Sequence, residues 1–354
     1  MKKITFIQVF LIVLCIMLIF MSDVSAAAAK DAVGRCLTII IPSLFVFMAL
    51  SSMIVKSGAY KVLSLPFYLV AKYVLKMPYE LFSVFLISNI AGFPVGASML
   101  RTLINDKKIT PETASVMQCY CYGGGPSFSL GVIGMVIYQD KITGAIICLS
   151  SILANLTCAV LLNRAFSIKK TNYDNSDRFD SSDFIECIGS SGRSILMICA
   201  LIIAFAVLLR IMAIPVSAVA AYFGTYPSKD ASVLIRSLFE LSSITAMSKG
   251  YLSVIPIISG IFCFGGICIL IQVICTVKNS YSLIPFFITR LPVSLLAFLY
   301  SKGLVYFFSD KIKECFAAQE NVMVNLNNFL PSICLILMIF LLTFSKGVAF
   351  FRKI

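Results

Sequence analysis

Eight stretches of the sequence are apolar over about 20 residues each, the length that an α-helix needs to cross the hydrocarbon core of a bilayer. Charged residues make up 13% of the chain, against about 25% in an average soluble domain. The sequence therefore predicts an all-α polytopic membrane protein whose main partner is the lipid bilayer. The apolar stretches are residues 4–21, 36–56, 112–138, 142–163, 190–212, 251–276, 282–304 and 329–348.

The third of these stretches is interrupted at its centre by the sequence CYCYGGGPSF, residues 119–128. A glycine costs a helix interior about 1 kcal/mol and a proline about 3 kcal/mol. Irregular backbone survives at membrane depth only inside protein or beside a water-filled cavity. One interpretation is a pair of half-helices, of which the second begins at Pro126 and directs free N–H groups at the membrane centre, where they favour an anion. The other is a kink at which glycines let a neighbouring helix approach closely.

Two further apolar stretches, residues 80–104 and 231–249, carry polar or helix-breaking residues at their centres. We interpret both as re-entrant hairpins that enter and leave the membrane on one side. Residues 60–76 mix lysines with apolar residues, a pattern typical of a segment that lies at the membrane surface. Residues 168–185 form a long polar segment and predict a linker between two halves of the chain.

The two halves repeat one another weakly and in the same order. The matched pairs are Gly34-Arg35 with Gly192-Arg193, SNIAGFPVGAS (88–98) with FELSSITAMSKG (239–250), and YGGGPSF (122–128) with FCFGGICILIQ (262–272), each followed by a further span. The loop charges place the two hairpins on opposite sides, which predicts an inverted-topology repeat with interrupted helices, the architecture of many secondary transporters. The predicted units are an N-terminal helix and connector (1–33), a first repeat (34–167), a cytoplasmic linker (168–187), a second repeat (188–304), and an extracytoplasmic loop with a C-terminal helix (305–354).

The distribution of basic residues predicts the orientation. With the N-terminus inside the cell, 18 of the 29 Lys and Arg residues fall on the cytoplasmic side and 10 on the other, and one lies inside a span. This bias places both termini in the cytoplasm and explains the net charge of +13 without nucleic-acid binding. Lys2, Lys3, the apolar stretch and SDVSAAAA also resemble a signal peptide. We expect an uncleaved membrane helix, because the apolar stretch is longer than the usual 7–15 or so residues.

Glu240 and Arg290 are the ionisable residues most informative about function. A carboxylate at membrane depth is costly and marks a functional site by default, so Glu240 can carry a coupling proton, bind Na⁺ or hold a cationic group of a substrate. Its structural alternative is an ion pair with Arg236, one turn earlier, or with Arg290. Arg290 is accordingly either a clamp for a substrate carboxylate or the structural partner of Glu240.

The other substrate-binding candidates belong to the two hairpins and the two glycine breaks. They are Asn89, Gly92, Pro94, Gly96, Ser98, Gly123, Gly124, Gly125, Pro126, Ser127, Ser242, Ser243, Thr245, Gly265, Gly266 and Gln272. Alternatively, each hydroxyl forms a hydrogen bond to the backbone of its own helix. Gln272 can likewise form a hydrogen bond to a neighbouring helix without contacting a ligand. No catalytic or metal-ligating residue is predicted, because the chain has no His and no nucleophile–base pair at helical spacing. We expect no enzyme activity and no cofactor, only a coupling H⁺ or Na⁺.

Several motifs resemble those of the YlbJ-type sporulation integral membrane proteins, which contain a nucleoside-recognition (Gate) domain and are similar in organisation to concentrative nucleoside transporters. The motifs are GRCLTIIIPSLFVFMALSSMI (34–54), GFPVGA (92–97), GGGPSF (123–128), FELSSIT (239–245) and FGGICILIQ (264–272). The resemblance implies a multi-pass transporter made in the mother cell of an endospore-forming bacterium and located in the outer forespore membrane. It also implies passage of dipicolinic acid, a small planar dianion, with the tips 92–97 and 123–128 and the segment 240–245 around the substrate.

These observations predict a secondary transporter or permease that moves a small anionic or polar solute, by resemblance dipicolinic acid, through alternating access. The alternative, from another functional class, is a non-transporting membrane scaffold required for spore formation. The transporter interpretation requires that the two glycine-broken segments meet and enclose a polar chamber. A scaffold has no such requirement.

Overall fold

The computed structural model describes residues 6–166, 168, 179–222, 228–247 and 250–312, and all regular secondary structure within these ranges is helical. Within them, four helices are long and apolar enough to cross a membrane, and six crossings result if each of two sharply bent helix pairs counts as one. The chain is therefore an all-helical, multi-pass membrane protein. The predicted span 329–348 and most of the predicted linker 168–185 lie outside the described residues.

The α-helices follow one another along the chain with short connections. They are α1 (Phe6–Phe20), α2 (Ser22–Arg35), α3 (Ile41–Lys56), α4 (Ala59–Ser64), α5 (Phe82–Ala91), α6 (Val95–Asn105), α7 (Pro111–Gln118), α8 (Lys141–Ala165), α9 (Ser181–Tyr222), α10 (Lys229–Phe239), α11 (Ile255–Phe264), α12 (Ile267–Val277) and α13 (Ile284–Phe307). A π-helix, Ser127–Tyr138, lies between α7 and α8, and short 3₁₀ and π segments complete the described architecture.

The first two predicted spans have different boundaries in the structure. α1 meets the following helix at a bend of 93°. α2, a π turn at Cys36–Ile40 and α3 form one helical run from residue 22 to residue 56. The run ends where Gly58 adopts a left-handed conformation (φ 73°), which glycine reaches without the steric cost of a side chain. The chain then turns by 97° into the short helical turns of residues 59–74, the segment predicted for the membrane surface.

Residues 80–104, predicted as the first re-entrant hairpin, form two helices joined by a tight turn. α5 and α6 pack against each other and are joined by residues 92–94. Gly92 has a φ of +90° at this tip, and the Phe93–Pro94 peptide is cis. The positive φ explains why the motif GFPVGA begins with glycine.

The second predicted hairpin, residues 231–249, is less regular. α10 ends at Phe239, Glu240 is extended (φ −139°, ψ 108°), and a 3₁₀ segment, Leu241–Ala246, returns against α10. No glycine stands at this tip. The side chain of Glu240 shapes the turn instead, because it accepts a hydrogen bond from the backbone N–H of Ser242. Residues 248–249 of this prediction lie outside the described residues.

Both glycine breaks interrupt helices, as the sequence predicts. α7 stops before the first group of glycines and the π-helix starts after it, at Ser127. In the second break, Gly265 and Gly266 separate α11 from α12. Gly125, Gly265 and Gly266 have φ values of 71°, 86° and 82°, which lie in the region that favours glycine. The breaks are therefore set by backbone conformation and by close packing.

The continuous helices agree with the prediction, with one difference. α8 matches the predicted span 142–163 and α13 matches 282–304. α9 begins at Ser181, inside the predicted linker, and continues through the predicted span 190–212. Its early polar turns are held against the end of α3, because Lys56 Nζ lies 3.1 Å from Asp183 Oδ1 and 2.7 Å from Glu186 Oε2. These ion pairs explain why the helix starts before its apolar part.

Glycines allow the first hairpin and the two breaks to pack backbone against backbone. A Cβ at Gly96 would collide with the carbonyl oxygen of Cys121, and a Cβ at Gly124 would collide with the ring of Phe262. The first break therefore has the close packing that the second interpretation predicts. The glycines interrupt the helix, and they also let neighbouring segments approach closely.

Gly96→Ala is expected to destabilise the detergent-solubilised protein, because the added Cβ would meet the Cys121 carbonyl and the Cβ of Ser88. Overpacking of this kind costs about 1–3 kcal/mol, whereas alanine replaces glycine in an open helix with a gain of about 1 kcal/mol. Gly303→Ala in α13 is the matched control, because an added Cβ there has no neighbour within 4 Å among the described residues. Equal melting temperatures for the two variants in thermal unfolding would contradict the packing.

Candidate functional site

The two breaks contact each other directly. Tyr122 Oη donates a hydrogen bond to the carbonyl oxygen of Phe264, the last residue of α11, at 3.0 Å. The Phe262 ring covers Gly124 and stacks on the ring of Phe128, with centroids 6.3 Å apart and an interplanar angle of 10°. The two interrupted helices therefore meet at their breaks.

A cavity of about 60 Å³, the central cavity, lies beside this crossing and has room for a few water molecules. Its polar side chains are Ser127, Glu240, Ser242 and Gln272. The first residues of the π-helix and of α12 belong to its wall, so the positive N-terminal ends of both half-helices border it. Most of the remaining wall is apolar and includes Ile40, Leu44, Phe93, Phe128, Ile198 and Ile202.

Glu240 is the acidic residue of the central cavity, and only 3% of its surface is exposed. Its Oε1 accepts a hydrogen bond from the backbone N–H of Ser242 (2.9 Å), and its Oε2 accepts one from the hydroxyl of Ser243 (3.0 Å). Within the described part of the chain Glu240 forms no ion pair, so the predicted pairs with Arg236 and Arg290 are absent there. A buried carboxylate with neutral partners is suited to bind a proton, a metal cation or a donor group of a solute.

A larger cavity of about 570 Å³, the vestibule, adjoins the central cavity, and Ile198 and Gln272 line both. Its walls come from the ends of α3, α6 and α12 and from the first turns of α9. The cations on these walls are all residues that the charge distribution predicts on the cytoplasmic side. They are Lys56, Arg101, Arg193 and Lys278.

A third cavity of about 200 Å³, the outer cavity, is lined by Arg35, Arg210 and Arg236, which the charge distribution predicts on the opposite side. Ser242 lines the central cavity and Ser243 lines the outer cavity, so the short segment 240–243 separates the two spaces. Arg35 Nε donates a hydrogen bond to Ser242 Oγ (3.1 Å) and ties this segment to the end of α2. Consecutive residues of one 3₁₀ segment thus belong to the walls of both cavities.

Arg290 is buried, with 1% of its surface exposed, and does not line any of these three cavities. Its Nη2 donates a hydrogen bond to the carbonyl oxygen of Cys119, directly after α7. Its guanidinium carbon lies 4.8 Å from the ring centroid of Tyr122 and 5.1 Å from that of Phe286. The C-terminal end of a helix carries about half a negative charge, so Arg290 neutralises the end of α7. This position does not agree with the predicted clamp or with the predicted pairing with Glu240.

The structure distributes the eighteen sequence candidates over the three cavities and the packed framework. Six line the central cavity, namely Gly124, Gly125, Ser127, Glu240, Ser242 and Gln272. Ser98 lines the vestibule, and Ser243 and Thr245 line the outer cavity. The other nine pack or cap the framework and line none of these cavities: Asn89, Gly92, Pro94, Gly96, Gly123, Pro126, Gly265, Gly266 and Arg290.

Asn89 illustrates a candidate that joins structural elements. Its Oδ1 accepts a hydrogen bond from Asn155 Nδ2 (2.7 Å), and Asn155 Nδ2 also donates to the carbonyl oxygen of Tyr122 (2.7 Å). These two amides connect the first hairpin, the first break and α8. Asn155 is not among the sequence candidates, although an amide within the apolar stretch 142–163 is a signal for hydrogen bonding between helices.

The apolar wall of the central cavity and the contact of Arg35 are also missing from the sequence candidates. Ile198 and Ile202 belong to a long apolar run, in which no residue-level signal separates a side chain that faces a cavity from one that faces lipid. Phe93 belongs to the motif GFPVGA at the first hairpin tip. This position is the sequence signal that could have identified it as a residue of the cavity wall.

Comparison of the chain with protein-family models, with curated proteins and with solved structures finds no match.

A double-mutant cycle tests whether Arg290 and Glu240 act independently. We expect Arg290→Gln to lower the free energy of unfolding by about 2 kcal/mol, because it removes a cation that caps α7 and contacts two aromatic rings. Glu240→Gln should have a smaller effect, because the amide oxygen still accepts a hydrogen bond. The effects should add to within about 0.5 kcal/mol in denaturant unfolding of the double variant.

Lys302→Gln, at an exposed position of the same helix, controls for the loss of a positive charge. A coupling energy above about 1 kcal/mol between Arg290 and Glu240 would contradict the separate roles and restore the predicted partnership.

Proposed function

We propose that the chain is a secondary transporter or permease, which moves a small polar or anionic solute across the membrane by alternating access. One observation carries the proposal. Three cavities follow one another, and the middle one is bordered by the broken ends of two interrupted helices. Gln272 connects the vestibule to the central cavity, and the segment 240–243 closes the central cavity toward the outer one. In the proposed mechanism, the solute moves along this row of spaces and passes the segment 240–243 last.

The proposal includes eight spans in an inverted-topology repeat. Two features support it. Each half contains a hairpin-like segment, then a glycine-broken helix, then a continuous helix, which is α8 in the first half and α13 in the second. In addition, the cations predicted on the cytoplasmic side share the vestibule, and several cations predicted on the other side share the outer cavity. Cations that the charge distribution predicts on one side of the membrane therefore line the same cavity.

Within this proposal, Glu240 couples solute movement to an ion. Its carboxylate belongs to the turn that separates the central and outer cavities. Its partners are neutral donors of Ser242 and Ser243, so a proton or Na⁺ that enters the cavity changes the local net charge. An uncompensated charge in this apolar surrounding is costly in free energy. Because the bound ion changes the net charge of the cavity, this cost links binding of the ion to binding of the solute.

The proposed cargo follows from the resemblance to the YlbJ-type proteins. It is dipicolinic acid, carried from the mother cell across the outer forespore membrane. The central cavity supports part of this assignment, because Phe93 and Phe128 offer aromatic surface to a planar ring and two helix N-termini favour carboxylates. Glu240 opposes a second negative charge, so an anionic cargo requires that the coupling ion neutralise this carboxylate.

Purified protein in proteoliposomes is expected to take up radiolabelled dipicolinate with saturable kinetics, and Glu240→Gln should slow this uptake about tenfold or more. A tenfold change corresponds to about 1.4 kcal/mol in the barrier, which is a modest value for the loss of a buried ion-binding group. The initial uptake rate, measured at several external pH values, is the readout.

Glu112→Gln is the matched control for this experiment. Glu112 is exposed in the first turn of α7 and does not line any of the three cavities, so uptake should stay at the wild-type rate. Wild-type uptake by Glu240→Gln would remove this residue from the mechanism. Absence of saturable uptake of dipicolinate, of other small carboxylates and of nucleosides by folded wild-type protein would favour the scaffold alternative.

A further inference from the structure

We propose that the vestibule is an anion-binding site, which captures a small organic carboxylate or phosphate before it reaches the central cavity. This inference rests on the transport function proposed above and deepens it, because it names the class of solute and the residues that select it. These residues are Arg101, Arg193 and Lys278, none of which is a sequence candidate.

The acidic side chains of the vestibule are already paired with lysines. Glu186 Oε2 lies 2.7 Å from Lys56 Nζ, and Asp106 Oδ2 lies 3.7 Å from Lys108 Nζ. Both carboxylates that line the cavity therefore belong to ion pairs. Lys56, which is also a lining residue, is shared between Glu186 and Asp183 (3.1 Å from Nζ to Oδ1), so it adds no net positive charge to the vestibule.

The remaining three cations have no carboxylate partner. Within the described part of the chain, no ion pair joins Arg101, Arg193 or Lys278 to an acidic residue. They come from α6, from α9 and from the residue that follows α12, so they surround the cavity from three directions. A cleft with low-dielectric walls and charges of one sign focuses the electric field and raises the local concentration of opposite charges. The vestibule is therefore electropositive.

Arg101 is fixed on the wall of the vestibule without loss of its charge. The side chain is half-buried, and its Nη1 donates a hydrogen bond to the carbonyl oxygen of Thr276 near the end of α12 (3.2 Å). A carbonyl orients the guanidinium but does not neutralise it, so its other N–H groups stay available for a carboxylate or phosphate. Ser98 and Asn105 line the same space and carry neutral donors that complement an anion.

The central cavity restricts the class of anion further. A solute that moves past Gln272 leaves the three cations and enters a space with mostly apolar walls. An inorganic ion would lose its electrostatic partners in this step. An organic anion with an apolar body compensates for the loss, because its apolar surface is removed from water. The two cavities together select a compact organic acid, and its entry requires the central cavity to widen beyond the roughly 60 Å³ that it has in this structure.

Cys275 provides a test that does not require the cargo. It lines the vestibule and is partly exposed. Protein in phosphatidylcholine nanodiscs is treated with a sulfonate-bearing or a trimethylammonium-bearing methanethiosulfonate reagent, and modification of the Cys275 peptide is followed by mass spectrometry. Each rate is divided by the rate of the same reagent with 2-mercaptoethanol, and Cys275→Ser confirms the assignment of the peptide.

We expect the normalised rate of the anionic reagent to exceed that of the cationic reagent about tenfold at low salt. The ratio should approach one between about 0.01 M and 1 M salt, because the Debye length shrinks from roughly 30 Å to 3 Å. Dipicolinate should slow the modification saturably, relative to sodium chloride at equal ionic strength, and inorganic phosphate should do so at higher concentration.

The double variant Arg193→Gln, Lys278→Gln should move the rate ratio toward one and weaken the protection, because Arg101 alone remains of the three cations. Both side chains are exposed, so folding should be unaffected. Arg164→Gln, exposed at the end of α8 and outside the vestibule, is the control and should behave like the wild type.

Three outcomes would overturn the proposal. They are a rate ratio near one in the wild type, an unchanged ratio in the double variant, and protection that arises only in nanodiscs containing phosphatidylglycerol without added anion. The last result would assign the site to a lipid headgroup. Thiol modification does not depend on uptake, so absent uptake with an intact rate preference would contradict the transport function and leave the anion site supported.

Discussion

Every backbone N–H and C=O group at membrane depth needs a hydrogen-bond partner, and this constraint governs the two interrupted helices. In the first break, Asn155 donates to the carbonyl of Tyr122, and Arg290 donates to that of Cys119. In the second, the carbonyl of Phe264 accepts a hydrogen bond from the Tyr122 hydroxyl. The first break thus supplies a partner to the second, and α8 and α13 supply partners to the first. The crossing and its supporting helices form one structural unit.

The same constraint separates the buried side chains of Glu240 and Arg290. The carbonyl end of α7 favours a cation and receives Arg290, which belongs to the framework and contacts aromatic rings. The amide ends of the π-helix and of α12 border the central cavity, where Glu240 lies. The partners of Glu240 are donors two and three residues later in its own turn. The hydrogen bonds of Glu240 therefore stay within one turn, whereas the hydrogen bond of Arg290 joins segments 171 residues apart.

The sequence predicts those features that follow from the preference of a single residue. Glycines with positive φ mark the first hairpin tip and both breaks, and an acid in an apolar stretch marks the cavity at Glu240. Pairings between distant segments stay hidden, because hydrophobic runs define helices but not their neighbours. Arg290 and Cys119 are 171 residues apart, and Arg35 and Ser242 are 207 apart. The vestibule is hidden for the same reason, since its cations come from different helices.

The electrostatic character changes twice along the row of cavities. The vestibule is positive, the central cavity contains the carboxylate of Glu240, and the outer cavity is lined by Arg35, Arg210 and Arg236 together with Asp31. An anion is attracted at both ends and repelled in the middle. Two like charges 4 Å apart repel by about 4 kcal/mol at an effective dielectric constant of about 20. Under the proposed function, an ion that neutralises Glu240 removes this repulsion and its departure restores it. In that proposal, the repulsion that stops an anion alone is also the interaction that couples the anion to the ion.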